Sequence, residues 1–429
     1  MTGHTPVAQV LERVVGAGSP LSFSAYDGSS AGPSDAVARV HVGDFRALRY
    51  MATAPGELGL ARAYVAGHLD LDGDPYTTLR LLARDDVAAL TWSDRLDVLR
   101  ALGPGVARPL PPPPEEVRPS LLWGARHSLS RDSRAISHHY DVSNRFYEWV
   151  LGPSMAYTCA VFPTADANLE EAQEEKVDLV CRKLDLQPGQ RLLDVGCGWG
   201  TMVLHAARHY GVRAVGVTLS RQQAEWGQKQ IADAGLSDVA EVRHDDYRDV
   251  GEDDFDAISS IGLTEHIGAR NLPGYARFLA GRLRPQGRLL NHCITRPTTT
   301  AAVRRTKGFI NRYVFPDGEI EAVGTIVSAL GDAGLEVRHE ENLREHYART
   351  CAAWGANLEA HWDDAVAEVG EARARVWLLY LAGSRLGFTQ RRIELHQVLA
   401  VRTDDGDAAM PLRPDFARRP AAVHASSGA

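Results

Sequence analysis

From Arg191 to Val401 the chain carries seven short apolar runs with helical stretches between them: RLLDVG (191–196), RAVGVTL (213–219), AEVRHDD (240–246), FDAISSIG (255–262), GRLLNHCIT (287–295), GLEVRHEENL (334–343) and IELHQVLAV (393–401). A hairpin turn cannot bring the next strand back in the same direction, so strands joined through helices of this length pair in parallel. The pattern therefore predicts an α/β protein with a doubly wound, mostly parallel sheet. Ligands of such sheets sit beyond the carboxyl ends of the strands. Residues 344–392, between the last two runs, form a long insertion with helical character. Its apolar stretch ARARVWLLYLAGSRLGF is too short to span a bilayer and is expected to pack on the core or line a pocket.

A chain of 429 residues that is 44% apolar can bury two modest cores. The segment 36–120 is mixed: AVARVHVGDFRALRYMAT alternates in strand fashion, and ELGLARAYVAGHLDLDGDPYTTLRLLARD reads as helix, turn and helix. It predicts a small N-terminal α+β domain over 1–108, serving docking or dimerisation. PLPPPP (Pro109–Pro114) lacks amide donors and predicts a stiff linker over 109–120. The larger domain then covers 121–402, and residues 403–429, rich in Ala, Arg, Pro and Ser, are expected to be disordered. A net charge of −8 gives no support for a nucleic-acid partner. Five cysteines without CxxC spacing suit a reducing compartment and argue against a structural zinc site. No metal ligand set is expected. The N-terminus lacks the continuous apolar region of a secretory signal, and no run of about 18 apolar residues occurs, so a cytoplasmic location with at most peripheral membrane contact is expected.

The first apolar run leads into Asp194-Val-Gly196-Cys-Gly198-Trp-Gly200 at the start of a helix. Glycines there permit close backbone approach, and the helix N-terminus offers unpaired amides to a nucleoside with a polar tail. Nicotinamide dinucleotides use GxGxxG with an acid near the end of strand two. This chain has DxGxGxG, and its second strand ends Thr218-Leu219-Ser220 with no acid. With Asp245-Asp246-Tyr247 after strand three as an adenine-side contact, S-adenosylmethionine is the favoured ligand.

Six motifs carry a specific resemblance: HHYDVSNRFYEWVLGPSMAYTCAVF (138–162), LLDVGCGWG (192–200), GVTLSRQQ (216–223), DDYRD (245–249), SSIGLTEHIG (259–268) and LLNHCIT (289–295). Through them residues 137–401 resemble the cyclopropane-fatty-acid synthase and mycolic-acid methyltransferase family. The wording LGPSMAYTCAVF and RLLNHCIT is most similar to the actinobacterial branch associated with 10-methyl-branched, tuberculostearic-type fatty acids. LGLARAYVAGHLDLDGD resembles the small N-terminal domain of full-length synthases. The resemblance implies a Rossmann-like class I methyltransferase fold with a seven-stranded sheet. It also implies that Tyr140, Tyr157 and Thr158 close over the methionine end of the cofactor, that Asp194, Gly196 and Gly198 approach from below, and that Thr218, Leu219, Gln223, Asp245, Asp246, Tyr247 and Ile261 complete the site. For Tyr140 and Tyr157, ordinary packing is the competing reading.

An alkene attacking the methyl of a sulfonium leaves a carbocation on the neighbouring chain carbon, so water must be kept out and one proton removed. The family answer is a bound bicarbonate as base. The matching holders are Cys159, Glu265, His292, Tyr347 and the backbone of Ile294. Glu265 with His266 as a loop cap, and Cys159 as a small apolar residue, are the alternatives. The implied function is S-adenosylmethionine-dependent methylation of oleoyl-type phospholipid chains, giving a 10-methylene acyl chain. A cyclopropane product uses the same residues. A saturated 10-methyl chain would need a separate NAD(P)H- or flavin-dependent reductase, because no second nucleotide-binding fingerprint is present. The stretch Arg304-Arg305-Thr-Lys307-Gly-Phe309-Ile310-Asn-Arg312 is a candidate contact for anionic headgroups of a membrane phospholipid, with a solvated helix face as its rival. A homodimer is expected. Readings from other classes are a small-molecule methyltransferase and an inactive lipid-binding module.

Overall fold

The computed structural model describes residues 6–16, 18–54, 56–83, 102–117, 142–300 and 308–417. Tyr140 and the cations Arg304, Arg305 and Lys307 lie outside the described residues.

The N-terminal unit opens with α1 (Val7–Val15) and holds a small sheet of β1 (Leu21–Ala25), β2 (Ser30–Ala31), β3 (Ala38–Val42) and β4 (Leu69–Asp72), in the order β2-β1-β3-β4. Helices α2 (Phe45–Thr53), α3 (Glu57–Val65) and α4 (Pro75–Leu82) complete it. Two local expectations differ. The strand-like alternation stops at Val42, and FRALRYMAT is α2, because Asp44 caps it by accepting from Arg46 N and its buried residues Ala47, Leu48 and Tyr50 then fall on one helical face. The expected turn in HLDLDGD is strand β4, in which Leu69 and Leu71 alternate against β3; the turn is confined to Gly73, at φ 111°.

Pro109–Val117 is pinned on both sides. Tyr50 donates its hydroxyl to the Pro111 carbonyl at 2.8 Å, and Val117 N donates to the Arg312 carbonyl at 2.8 Å. Glu116 is buried and receives Arg62 through two bonds of 2.7 and 2.8 Å, with the Tyr313 hydroxyl at 3.3 Å. A paired, hydrogen-bonded charge is tolerable at such a junction, whereas a single one is not.

In the larger unit, β5 (Arg191–Val195), β6 (Arg213–Thr218), β7 (Ala240–His244), β8 (Phe255–Ile261), β9 (Leu283–Arg296), β10 (Glu321–Ala322), β11 (Glu336–Asn342) and β12 (Glu394–Val401) form one sheet. Its order is β11-β12-β9-β8-β5-β6-β7, with β10 beside β9. All neighbours are parallel except β12, which runs antiparallel to β9 and β11. The expected seven-stranded, mostly parallel sheet is present, with the two-residue β10 as an addition. The helices are α5 (Asn144–Leu151), α6 (Leu169–Leu184), α7 (Thr201–Tyr210), α8 (Arg221–Asp233), α9 (Thr264–Ile267), α10 (Leu272–Arg282), α11 (Phe309–Tyr313), α12 (Val323–Asp332), α13 (Arg344–Ala360), α14 (Trp362–Val369) and α15 (Glu371–Thr389). Leu184, Val203 and Ile231 of α6, α7 and α8 pack on one face of the sheet, and Leu279 and Leu330 of α10 and α12 on the other. The insertion α13–α15 shares a third core with the N-terminal unit, joining Trp354 and Trp377 to Tyr64 and Leu81. Among the described residues no helix is long and apolar enough to cross a membrane.

The expectation of disorder from residue 403 fails for 403–417. The carbonyls of Ala409 and Phe416 accept from Arg288 at 3.2 Å and Arg182 at 2.8 Å, and the Phe416 ring packs against His339. Backbone carbonyls satisfied by the buried Arg288 and the half-buried Arg182 hold an otherwise polar segment on the sheet.

Helix α8 approaches the glycine-rich turn closely. A methyl group on Gly227 would lie 2.8 Å from the Trp199 carbonyl oxygen and 3.2 Å from Val242 Cγ2. Helix propensity favours alanine by about 1 kcal/mol, but overpacking against rigid backbone costs about 1–3 kcal/mol. Gly227→Ala is therefore expected to lower stability by up to about 2 kcal/mol in urea unfolding; a higher midpoint would show that α8 can move away.

Candidate active site

Asp194 is the fourth residue of central strand β5 and accepts from Ser259 Oγ of β8 at 2.6 Å. Burial pushes its carboxyl up to about 6, opposed by Ser259 and by Lys176 of α6. Lys176, itself buried, is lowered to about 8. Beyond Val195 the chain turns through Gly196, Gly198 and Gly200, at φ 78°, 56° and 81°. Their surroundings differ. A Cβ on Gly196 would meet Leu263 at 3.1 Å and one on Gly200 would meet Val242 at 2.9 Å, whereas one on Gly198 would meet nothing within 4 Å. Gly198 thus faces open space at the N-terminus of α7, where amides are unpaired.

That space is a cleft, open to solvent, at the carboxyl ends of β5, β6 and β7. Eight predicted residues line it: Gly196, Gly198, Thr218, Leu219, Gln223, Asp245, Asp246 and Tyr247. Thr218 Oγ1 donates to Gln223 Oε1 at 2.8 Å, so a hydroxyl and an amide stand where an acid was missing. Asp246 caps the turn Tyr247–Asp249 by accepting from Arg248 N at 2.9 Å. Four predicted residues are not on the cleft wall. Asp194 is spent on Ser259, below the turn. Ile261 closes β8, one residue before Gly262, which does line the cleft. Thr158 packs beside Gly262, its Cγ2 3.3 Å from where a Cβ would stand, and Tyr157 donates its hydroxyl to Tyr380 at 3.0 Å. The sequence reading missed Val217, Arg248, Gly262, Leu263, His266 and Ile267 on the wall. All of them fall inside the quoted motifs GVTLSRQQ, DDYRD and SSIGLTEHIG, the signal that could have pointed to them.

Behind Gly262 lies a second, buried group. Glu265 of α9 accepts from Ile294 N of β9 at 2.7 Å through Oε1, while Oε2 is buried with no hydrogen-bond partner among the described residues. Burial pushes its carboxyl up to about 7. Two residues before Ile294, on the same face of β9, His292 faces Gln397 Nε2 at 3.2 Å through Nδ1, and its Nε2 is likewise buried without a partner. Burial, together with Lys176 and Lys183, holds this imidazole well below its usual pKa, so it is neutral. Tyr347, in the first turn of α13, stays a phenol because burial, Tyr380, Cys351, Cys159 and Glu265 all raise its pKa. Cys159 Sγ points to the carbonyls of Ala160 at 3.2 Å and Leu343 at 3.7 Å; burial keeps it a thiol, which excludes a resting thiolate nucleophile. The structure thus gathers Cys159, Glu265, His292, Ile294 and Tyr347 from four separate segments.

A buried polar atom without a partner costs about 1–3 kcal/mol. Two such atoms are present here, one on Glu265 held at Ile294 N and one on His292 two residues earlier on the same strand, and together they could serve a small polar ligand that takes a bond from an imidazole N–H and gives one to a carboxylate. The neighbouring wall is aromatic: Tyr157 lies 5.4 Å from Trp354 and 5.8 Å from Trp377, and Tyr347 stacks on Phe388 at 4.4 Å.

Because Gly198 borders only the cleft, Gly198→Ala is expected to lower affinity for S-adenosylhomocysteine at least tenfold in calorimetric titration, with a stability loss of about 1–2 kcal/mol from its positive φ. Unchanged affinity would place the ligand elsewhere.

Residues 127–398 match the family described as mycolic acid cyclopropane synthetase. A probable fatty acid methyltransferase of Mycobacterium tuberculosis is 54% identical over 423 residues, 96% of this chain and 99% of the relative. A probable fatty acid methyltransferase of Pseudomonas putida is 38% identical, over 91% of this chain and 94% of the relative. Among solved structures, mycolic acid cyclopropane synthase CmaA1 complexed with SAH and CTAB superposes with a TM-score of 0.59 at 31% identity, over 63% of this chain and 98% of that one. The glycine-turn cleft, the seven principal strands in methyltransferase order and these relatives make the chain a member of the cyclopropane synthase family, an S-adenosylmethionine-dependent lipid methyltransferase.

Proposed function

We propose that this enzyme methylates the double bond of an oleoyl-type phospholipid acyl chain through a carbocation, with a bound bicarbonate as base, and releases a 10-methylene acyl chain. The observation that carries the reading is that Glu265 Oε2 and His292 Nε2, both at the end of β9, are buried without a partner among the described residues. A neutral imidazole N–H and a carboxylate suit a small oxyanion that bears one proton. When bound, S-adenosylmethionine supplies an electrophilic methyl and bicarbonate a small, exchangeable base.

The chain's own groups then have separate tasks. Gly196 and Gly198 let the cofactor approach the end of β5. Glu265, held by Ile294 N, accepts a proton, His292 and Tyr347 donate, and Cys159 fills the adjoining space with a thiol. Attack by the alkene on the methyl that the cofactor would supply, with release of the thioether, would place positive charge on the neighbouring chain carbon. The faces of Tyr157, Trp354 and Trp377 present electron-rich surface to that charge and exclude water. A 1,2-hydride shift followed by proton loss from the new methyl gives the methylene; proton loss with ring closure gives a cyclopropane. The preference for methylene rests on the resemblance of LGPSMAYTCAVF and RLLNHCIT to the 10-methyl branch. The product would then pass to a separate reductase with its own hydride donor, and the enzyme would work peripherally on the membrane.

Glu265 gives a prediction with a definite sign. Its folded pKa is raised from 4.5 to about 7, so the folded state binds the proton more tightly than the unfolded chain does. Glu265 should therefore contribute a fall in wild-type stability of roughly 3 kcal/mol as pH rises from about 4.5 to about 7, beside the loss of the same sign from the raised Asp194 carboxyl. Glu265→Gln keeps an acceptor for Ile294 N and should lack the Glu265 share of this slope while keeping that of Asp194. It should be at least as stable as wild type at pH 8, yet lose about 10²-fold or more in methyl transfer. Retained activity would remove the carboxylate from the reaction.

The product is read by mass spectrometry of lipids from a host rich in oleoyl phospholipids, fed methyl-labelled methionine. A labelled gain of one carbon retaining an alkene near C10 is expected. A labelled cyclopropane would correct the product, and no labelled lipid from folded, cofactor-binding protein would overturn the reading.

A further inference from the structure

Whether His292 donates or accepts toward the cradle depends on which ring nitrogen carries its proton. The surrounding side chains leave one choice. In the antiparallel register of β9 and β12, Gln397 stands directly opposite His292 and has no exposure. Its Oε1 lies 2.7 Å from Nζ of Lys183, in the last turn of α6, and the same Nζ lies 2.5 Å from Glu341 Oε2 on β11. An ammonium has donors only, so the amide atom facing it must be oxygen. The amide NH₂ then faces His292 Nδ1 at 3.2 Å, and an NH₂ cannot accept. Nδ1 must offer its lone pair, which puts the proton of the neutral ring on Nε2. That atom is the one buried without a partner. An imidazolium is excluded by the same geometry, since its Nδ1–H would point at the amide hydrogens.

The outer end is built to keep the ammonium in place. The Lys183 side chain is 1% exposed and that of Glu341 is 39% exposed, so the pair runs from the interior to the surface. Burial lowers the Lys183 pKa, and Glu341 opposes the change. The Phe416 ring stands 5.8 Å from the ammonium, and its carbonyl is held by Arg182, so the C-terminal segment packs over the outside of this pair. An amide does not pass protons along readily, so the arrangement orients a ring rather than conducting a proton.

We propose that Glu341, Lys183 and Gln397 are positioning residues that lock His292 in its Nε2–H tautomer, so that it always presents a donor to the small oxyanion beside Glu265. The proposal rests on the oxyanion reading given above. The physical reason for such a lock is direct. With the proton on Nδ1, the ring would aim a lone pair at an anion, and one hydrogen bond would become a repulsion.

The test is a long-range ¹H–¹⁵N correlation spectrum of the full chain labelled with ¹⁵N-histidine, with His292 assigned by the signals lost in His292→Asn. The wild type is expected to show Nε2–H alone; an Nδ1–H or doubly protonated ring would overturn the proposal. In Lys183→Met the amide is free to turn over, and a tautomer mixture is expected with a kcat at least about tenfold lower and little change in KM, the scale of loss when a partner orienting a functional histidine is removed. A pure Nε2–H ring with full kcat in that variant would also overturn it. Should Lys183→Met fail to fold, Gln397→Glu places a carboxylate at Nδ1 and is expected to invert the tautomer; an unchanged Nε2–H ring there would sink the lock. The spectrum needs no lipid, so a wild-type enzyme that makes no labelled lipid would refute the lipid reading and leave the tautomer result standing.

Discussion

The site depends on the pairing of β8 with β9, in which Ile261 stands opposite His292. Gly262 N extends that ladder by one bond to the His292 carbonyl at 2.8 Å, and the chain then leaves the sheet at Gly262 with φ 75°. The turn throws the short helix Thr264–Ile267 back across the strand end, where Glu265 reaches Ile294 N. A slip of one residue would move His292 and Ile294 to the other face of the sheet and leave the carboxylate with nothing to hold it. Parallel strands buried on both faces resist such a slip, because every side chain of the strand has a packing partner.

Two compartments follow from this geometry, and Gly262 stands between them. On one side is the cleft that the glycine turn opens, where Gly198 offers backbone and Thr218 with Gln223 offers a neutral polar edge. On the other is the buried group of Glu265, His292 and Tyr347 with its aromatic wall. Thr158 packs against Gly262 from that side. A Cβ at position 262 would stand 3.3 Å from Thr158 Cγ2 and at a positive φ, so a larger residue there would press on Thr158 and strain the turn that separates the two groups.

The parts far from the sheet support the second compartment. The insertion Arg344–Thr389 carries Tyr347, Trp354, Trp377 and Tyr380, and the N-terminal unit packs on its outer surface through Arg375, which reaches Asp70 at 2.6 Å and the Tyr64 carbonyl at 3.2 Å. The Pro-rich segment serves as a buckle between the two units, closed by Glu116, Arg62 and Tyr313, rather than as a free spacer. The proposed lock on His292 extends the same logic to the opposite edge of the sheet, where α6, β11 and β12 meet.

Much of this was legible in the chain as written. Seven apolar runs with helices between them point to a doubly wound sheet, and the DxGxGxG spacing after the first of them, with no acid at the end of strand two, points to a nucleoside cleft where a glycine turn alone would not, because strand period and positive φ are local properties of residue type. The motif residues Glu265, His292 and Tyr347 were visible too, as members of a resemblance. Their neighbours were not. FRALRYMAT became a helix through its Asp44 cap, where a short alternation gave no contrary signal beyond Val42. Residues 403–417 are ordered by arginines more than a hundred positions away, which composition cannot express. Gln397 lies 105 residues from His292 and Lys183 lies 214 from Gln397, so only the folded sheet decides that an ammonium orients an amide and the amide orients a ring. Hydrogen-bond direction between distant side chains belongs to tertiary structure because it is set by which atoms burial brings face to face.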